Sequence, residues 1–407
     1  MEINSDSGDS CSTSSDEEPF NANDNSVTET YGLKYKCPLN ALKSFHCISG
    51  LPPDFLHDLL EGVVSQDLLG IVRILNVKGW FSIKSYNSIL KALKFKASEA
   101  GDRPENIPDN KKVKKLVGKA VSNWSHTRSF SLIIRNFDID ENEPALSLSL
   151  LLHEIVERLT ASSFEEYEIG LLEEKIIEYL DLRSELYGEY PNLLGNPKPK
   201  THNLTHYPEA VSNFGPPITY WTARYESRHR IAKSAAEASK NFKNISHTLS
   251  SRQQQRQSSV FYCGMFAVND IVIKDKAMFV SDLRGDTELE RFLVPLMDSD
   301  DYICKEVEYR SQVYTAGDLV VLEALSPDKI KVGLVYTTLI KMDSVGLIVK
   351  EYLAVRTWLR YFKGVPVGPN FVMVGAQDLA DYKPLFNNGT ALLPIFCLHH
   401  HISVSYE

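Results

Sequence analysis

From Leu51 onward, apolar residues recur at three- and four-residue intervals. Phe55, Leu56, Leu59, Leu60, Val63, Val64, Leu68 and Val72 fall on one stripe. That spacing predicts a long amphipathic helix over 51–79, opened by Pro52 and Pro53 and ended near Gly79. Further helices are predicted over 82–98, 111–123, 146–161 and 164–186. The stretch 188–217 is rich in Pro, Gly and Asn and breaks the pattern into short pieces, before Thr219 caps a new helix through Trp221, Tyr225 and Ile231. The polar stretch 246–259, with Gln253, Gln254 and Gln255 in succession, reads as a linker. Beyond it the grammar changes to strands, at 260–266, 270–273, 277–280, 319–323, 331–339, 347–358 and 371–374, separated by Gly, Pro and Asp turns. The pattern therefore predicts an α+β multidomain protein: a mainly helical region over 31–245, a linker over 246–259, and a small β-barrel-like domain over 260–407.

Residues 1–30 have almost nothing large and apolar, so burial does not repay the entropy of ordering them and a disordered tail is expected. Serines among its acids suit acidic-directed phosphorylation, beside the plainer reading of a solvated tail. The chain of 407 residues carries 44 Lys and Arg against 53 Asp and Glu, a net charge of −9. The tail holds eight acids and no Lys or Arg, whereas residues 198–256 carry ten Lys and Arg against Glu209, Glu226 and Glu237. An acidic whole thus contains a strongly basic block, and nucleic acid stays open as a partner. The six cysteines contain no C-x-x-C pair, which excludes a zinc ribbon or a dense disulfide framework. No apolar run approaches ~18 residues and the N-terminus lacks a signal-peptide pattern, so the expected location is nuclear or cytoplasmic, with no membrane partner.

Three sets of residues could carry chemistry. His202 and His206 have the H-x-x-x-H spacing that puts two imidazoles on one side of a helical turn, half of a zinc site or simply a packed or solvated pair. Glu226 lies among Arg224, Arg228 and Arg230, as a surface salt-bridge partner or as a metal-binding carboxylate flanked by phosphate-holding cations. Asp54, His57, Asp58 and Glu61 share one helical face; the helix dipole accounts for the two aspartates, while His57 with Glu61 suggests a polar pair or a metal ligand.

The stretches GLPPDFLHDLLEG (50–62), PKTHNLTHYP (199–208) and WTARYESRH (221–229), with NFKNI (241–245) before Thr248 and Leu249, resemble transposases of the CACTA (EnSpm) kind. The resemblance covers about residues 32–257, and the β-rich tail is similar to the end of those proteins. It implies the helical insertion and last helix of an RNase H-like core. Such enzymes hold two Mg²⁺ ions on two aspartates and a glutamate, and Glu226 matches the glutamate. His202 and His206 match the histidine half of a zinc site whose other half is a C-x-x-C pair. The family's two aspartates and C-x-x-C lie upstream of this region, where the present chain has its acidic tail. One carboxylate does not hold two Mg²⁺ ions against their hydration.

The leading expectation is accordingly a transposon-derived protein without catalysis. Weak, sequence-independent DNA contacts would come from Lys198, Lys200, Arg224, Arg228, Arg230, Lys233, Lys240 and Lys243, with Arg252 and Arg256 beside them. The alternatives are a nuclear scaffold binding a protein partner, or a partial gene model of an active transposase. No small-molecule substrate is expected. Residues 314–322 loosely resemble chromatin-reading barrel modules of the BAH kind, and His399, His400 and His401 read as a polar strand end.

Overall fold

The apolar stripe winds first as a π-helix, Phe55–Val64, and then tightens into α1, Ser65–Val77. At the junction the Ser65 hydroxyl donates to the carbonyls of Glu61 and Gly62, 2.6 and 3.0 Å away, where the two windings meet. The structure is a computed structural model that describes residues 38–45, 50–240, 243–263, 271–279, 287–296, 298, 300–342 and 344–404. The predicted tail (1–30), Cys11, Cys37 and Cys47, the strand residues 264–266, Asp270 and Val280, and Asn241 and Phe242 of the quoted motif lie outside the described residues. The chain divides into two units, Met1–Pro52 and Pro53–Glu407. The described part of the first contains a short 3-10 turn, Pro38–Ala41.

In the second unit α1 is followed by α2 (Ile83–Ala92), α3 (Ala120–Ile134), α4 (Pro144–Leu159) and α5 (Glu166–Glu189). Short turns then lead through α6 (Tyr207–Phe214) to α7 (Ala223–Ser239) and α8 (Ile245–Tyr262). The helix expected over 111–123 is displaced to α3. Five lysines between 111 and 119 would repel one another at helical spacing, and Gly118 takes φ +127°. Residues 246–259 are not a linker but part of α8. Their polar composition fits a helix without a single buried residue as well as it fits an irregular segment. The next helix is not capped by Thr219, which lies in the one-turn helix Pro217–Tyr220; α7 begins three residues later.

The helical core is built from Phe55, Leu59, Leu60, Leu68, Ile71 and Leu75 against Leu148, Leu152, Ile155, Leu172 and Ile176. Within it Asp67 of α1 is clasped by Arg183 of α5, Nε to Oδ2 at 2.6 Å and Nη2 to Oδ1 at 2.9 Å, and receives the Tyr179 hydroxyl. A carboxylate this deep persists because each oxygen has a donor.

The strands are β1 (Ile271–Ile273), β2 (Met278–Phe279), β3 (Tyr302–Cys304), β4 (Glu306–Tyr309), β5 (Gln312–Thr315), β6 (Leu319–Ser326), β7 (Lys329–Lys341), β8 (Ser344–Arg356), β9 (Phe362–Gly375), β10 (Asp381–Leu385) and β11 (Ile395–Phe396). One small helix, α9 (Thr287–Leu293), lies between β2 and β3. β6 to β9 form an antiparallel meander in a sheet of order β10-β6-β7-β8-β9-β11, with β3 on β7 and β2 on β3; β1, β4 and β5 form a second sheet. All pairings are antiparallel, and β10 does not pair with β11 among the described residues, so the barrel closure expected from the strand pattern is not seen.

The helices and the sheet belong to one unit rather than to separate domains. Glu157 of α4 is fully enclosed and receives Arg356 of β8 through two bonds of 2.8 and 2.7 Å, with Arg360 adding one of 3.1 Å. These opposing charges hold the Glu157 carboxyl well below its usual range against the upward push of burial. Of the histidines expected to end a strand, His399 and His401 are buried and His400 is half-buried. His401 meets Glu168 of α5 at 2.6 Å and its amide donates to the Glu157 carbonyl at 2.9 Å, while His399 faces Glu99 at 3.6 Å.

Candidate functional site

Asp54 precedes the π-helix in an extended conformation, which leaves its carboxylate free to cap. Its Oδ1 accepts from the amide of Leu56 at 3.4 Å and from that of Thr222 at 3.1 Å, and its Oδ2 accepts from the Thr222 hydroxyl at 2.7 Å and contacts His57 Nδ1. The other imidazole nitrogen, Nε2, lies 2.8 Å from Oε1 of Glu226 in the first turn of α7. The result is a chain Asp54–His57–Glu226 that ties α7 to the π-helix. Burial pushes the Asp54 carboxyl up, but bonds from Thr222 and His57 outweigh it and the group ends below its usual range. The bond to Asp54 raises His57, burial opposes, and the charges of Asp54, Glu226 and Glu61 add to the rise.

This arrangement corrects several site expectations. Glu226 pairs neither with Arg224 nor with Arg230 but with His57, a residue far away in sequence that local spacing could not connect to it. His57 is not disposed as a metal ligand, because both ring nitrogens face carboxylates. His202 and His206 do come together, Nε2 to Nε2 at 3.3 Å with the rings nearly perpendicular. Two nitrogens are still only half of a tetrahedral site. Among the described residues no group of three or more His, Cys, Asp or Glu side chains is placed to hold a metal ion, so neither the Mg²⁺ nor the Zn²⁺ of the transposase pattern fits the donors present.

Lys200 is likewise not a free phosphate contact. Its Nζ donates to the His57 carbonyl at 2.7 Å and its stem packs beside Gly62, where an added Cβ would lie 2.7 Å from Lys200 Cδ. Asn203 donates to Asp58 at 3.0 Å, so the 199–208 motif is fastened to the π-helix. Lys198, Arg224, Arg228, Arg230, Lys233, Lys240 and Lys243 are exposed. No ion pair joins Arg224, Arg228, Arg230, Lys233 or Lys240 to a carboxylate among the described residues.

α7 and α8 form a helical hairpin. Lys240 ends α7 in the left-handed region, φ +50°, and the Asn244 side chain caps α8 by accepting from the His247 amide at 3.4 Å. Arg252 donates to the Ala235 carbonyl at 3.2 Å across the pair. Neither helix buries a residue, and from 223 to 262 eight Lys and Arg face only Glu226 and Glu237. Between them lies a groove of about 970 Å³ lined by Arg228, His229, Ile231, Arg252, Arg256 and Phe261.

Sequence reasoning missed Thr222, which joins Asp54 to α7, and the Glu157–Arg356–Arg360 cluster; in neither case does any periodic signal link the partners. Among the described residues no helix is long and apolar enough to cross a membrane. No protein-family model, curated protein or solved structure matches the chain.

Proposed function

We propose that this is a transposase-derived protein that binds the DNA backbone without cutting or joining it, its helical half corresponding to the insertion and last helix of an RNase H-like core. The observation that carries the reading is the α7–α8 hairpin: an exposed pair of helices on which Arg224, Arg228, Arg230 and Lys233, and Lys240 at the end of α7, form no ion pair among the described residues. Unpaired guanidinium groups on a rigid rod can contact phosphates along a duplex without reading bases. Glu226, the counterpart of the transposase glutamate, serves as an anchor: with His57 it fixes the root of the hairpin on the π-helix.

The test is fluorescence anisotropy with a labelled duplex and its scrambled counterpart. Both duplexes should bind equally at ~50 mM salt, and affinity should fall steeply toward ~200 mM. Changing Arg228 and Arg230 together to Gln should lower the salt slope by about 2. Absence of binding at the lower salt, or a double variant with an unchanged slope, overturns the assignment. A nuclear protein partner is the competing reading, favoured by Ile231 and Phe261 in the groove. It predicts a partner complex that survives when duplex DNA is removed with nuclease.

A further inference from the structure

The seam between α3 and the C-terminal strands gathers buried cationic and polar groups that lack full partners, beside the carboxylates of Glu99 and Asp381. Trp124 and Arg128 come from α3, Glu99 from the 3-10 turn Ala97–Asp102, and Lys383 and His399 from β10 and the chain beyond β11. The Arg128 guanidinium and the Lys383 ammonium both lie over the Trp124 ring, 5.3 and 5.1 Å from its centroid. Lys383 forms no ion pair among the described residues. Burial beside Arg128 holds its ammonium down, to about 8, against the opposing pull of Glu99 and Asp381.

Arg128 reaches Glu99 only at 3.5 Å, and its Nε has no partner. His399 is sealed, with 4% of its side chain exposed; its Nε2 is turned to the Pro384 carbonyl at 3.4 Å and to Glu99 at 3.6 Å, and its Nδ1 has no partner. A buried donor or acceptor left unmatched is costly enough that natural interiors rarely keep one without a function or a bound molecule.

Two small cavities lie on either side of Glu99. The first, about 40 Å³, is lined by Arg128, His399, Glu99, Ser129, Asn388 and Cys397; the second, about 100 Å³, by Lys96, Lys383, Glu99 and Gln312. Glu99 borders both. Cys397 is a neutral thiol here, its pKa pushed up to about 12 by burial, and adds no negative charge. Lys96 is already matched by Asp318 at 2.7 Å. What lacks a full set of partners is Arg128 and His399 at the first cavity, with Lys383 at the second, around spaces too small for a duplex and of the size of one tetrahedral anion.

We propose that the first cavity of this seam is a binding site for a phosphate-type oxyanion, with Arg128 and His399 donating to it, Lys383 adding positive charge from the adjoining cavity, and the Glu99 carboxylate between the two as the internal competitor that the anion displaces. The ligand is a free phosphate or the terminal phosphate of a small ester. The site is separate from the α7–α8 hairpin and does not depend on DNA binding.

Titration of the full chain at pH 7 with inorganic phosphate and, separately, with a nucleoside 5′-monophosphate tests it by calorimetry and by tryptophan fluorescence, with Trp124→Phe identifying the reporter. Saturable one-to-one binding of either probe is expected, and the tighter probe identifies the source. Arg128→Gln and Lys383→Met should each weaken it about tenfold or more, while Glu99→Gln should tighten it severalfold. Circular dichroism separates lost binding from lost folding, and Glu99→Gln reads in the opposite direction to any misfolding. Non-saturable heats with both probes overturn the proposal, as does a Glu99→Gln variant that binds no more tightly than the parent. Arg128→Gln should leave duplex affinity unchanged.

Discussion

A single histidine makes the attachment of the basic hairpin sensitive to pH. His57 carries a proton more readily than a free imidazole because Asp54 and Glu226 bracket its ring, and the protonated form can donate from both nitrogens at once. Its pKa in the folded protein lies above the unfolded value of 6.5. The stabilisation is therefore fully present below 6.5 and is lost as pH rises through the raised value. Hydrogen exchange at the amides of Tyr225 and Glu226, which donate to the Thr222 carbonyl, should show it once intrinsic rates are divided out. Protection should be greater at pH 5.5 than at pH 8.5, and His57→Gln should abolish the difference. Equal protection at the two pH values in the parent would remove His57 from this role.

At the scale of elements, α1 and the turn that follows α5 are packed backbone to backbone. Gly70 lies in the middle of α1, where alanine would ordinarily gain about 1 kcal/mol in helix propensity. A Cβ there would stand 2.9 Å from Leu194 Cα and 3.0 Å from the Leu193 carbonyl, which are backbone atoms with no rotamer to yield. Gly70→Ala is expected to destabilise the protein by about 1–3 kcal/mol, because the overpacking exceeds the propensity gain. A urea midpoint that rises on substitution contradicts this packing. The α7–α8 hairpin is built on the opposite principle. With no buried residue in either helix, it is held by the His57 chain, the Arg252 bond and contacts between the two helices, and its surface stays available to phosphate.

In the second unit, two buried histidines and two buried glutamates couple stability to pH in the opposite direction to His57. Burial lowers His126 to about 4 and His153 to about 3, so both are neutral when folded and gain protons on unfolding once pH drops below 6.5. Stability is full above 6.5 and declines as pH falls toward 4, since the unfolded chain binds the extra protons. Glu154 and Glu157, pushed up by burial but held low by Arg158, Arg356 and Arg360, extend the loss below the ordinary carboxylate value of 4.5. Chemical denaturation at pH 7, 5.5 and 4.5 should give successively lower midpoints. His126→Gln, which can keep a bond to the Tyr86 hydroxyl now 2.8 Å away, should flatten the upper part of that decline. Identical midpoints at pH 7 and 5.5 would exclude buried neutral histidines.

The alternation of apolar and polar residues was enough to place α4, α5 and the strands β6 to β8 within a few residues, because each must turn one face or stripe toward a core. It also showed where positive charge concentrates. Periodicity misread the segments with little or no buried face: α8 has a linker's composition, and the lysine-rich 111–119 has helical spacing that like charges and Gly118 undo. Partnership is what only the tertiary structure decided. Whether Glu226 meets an arginine or His57, whether Lys200 is free, and whether His399 and His401 are surface or seam all depend on residues far away in the sequence. Charge and hydrogen bonding act over a few ångströms of space, and a linear sequence specifies those distances only within a turn of helix or across a hairpin.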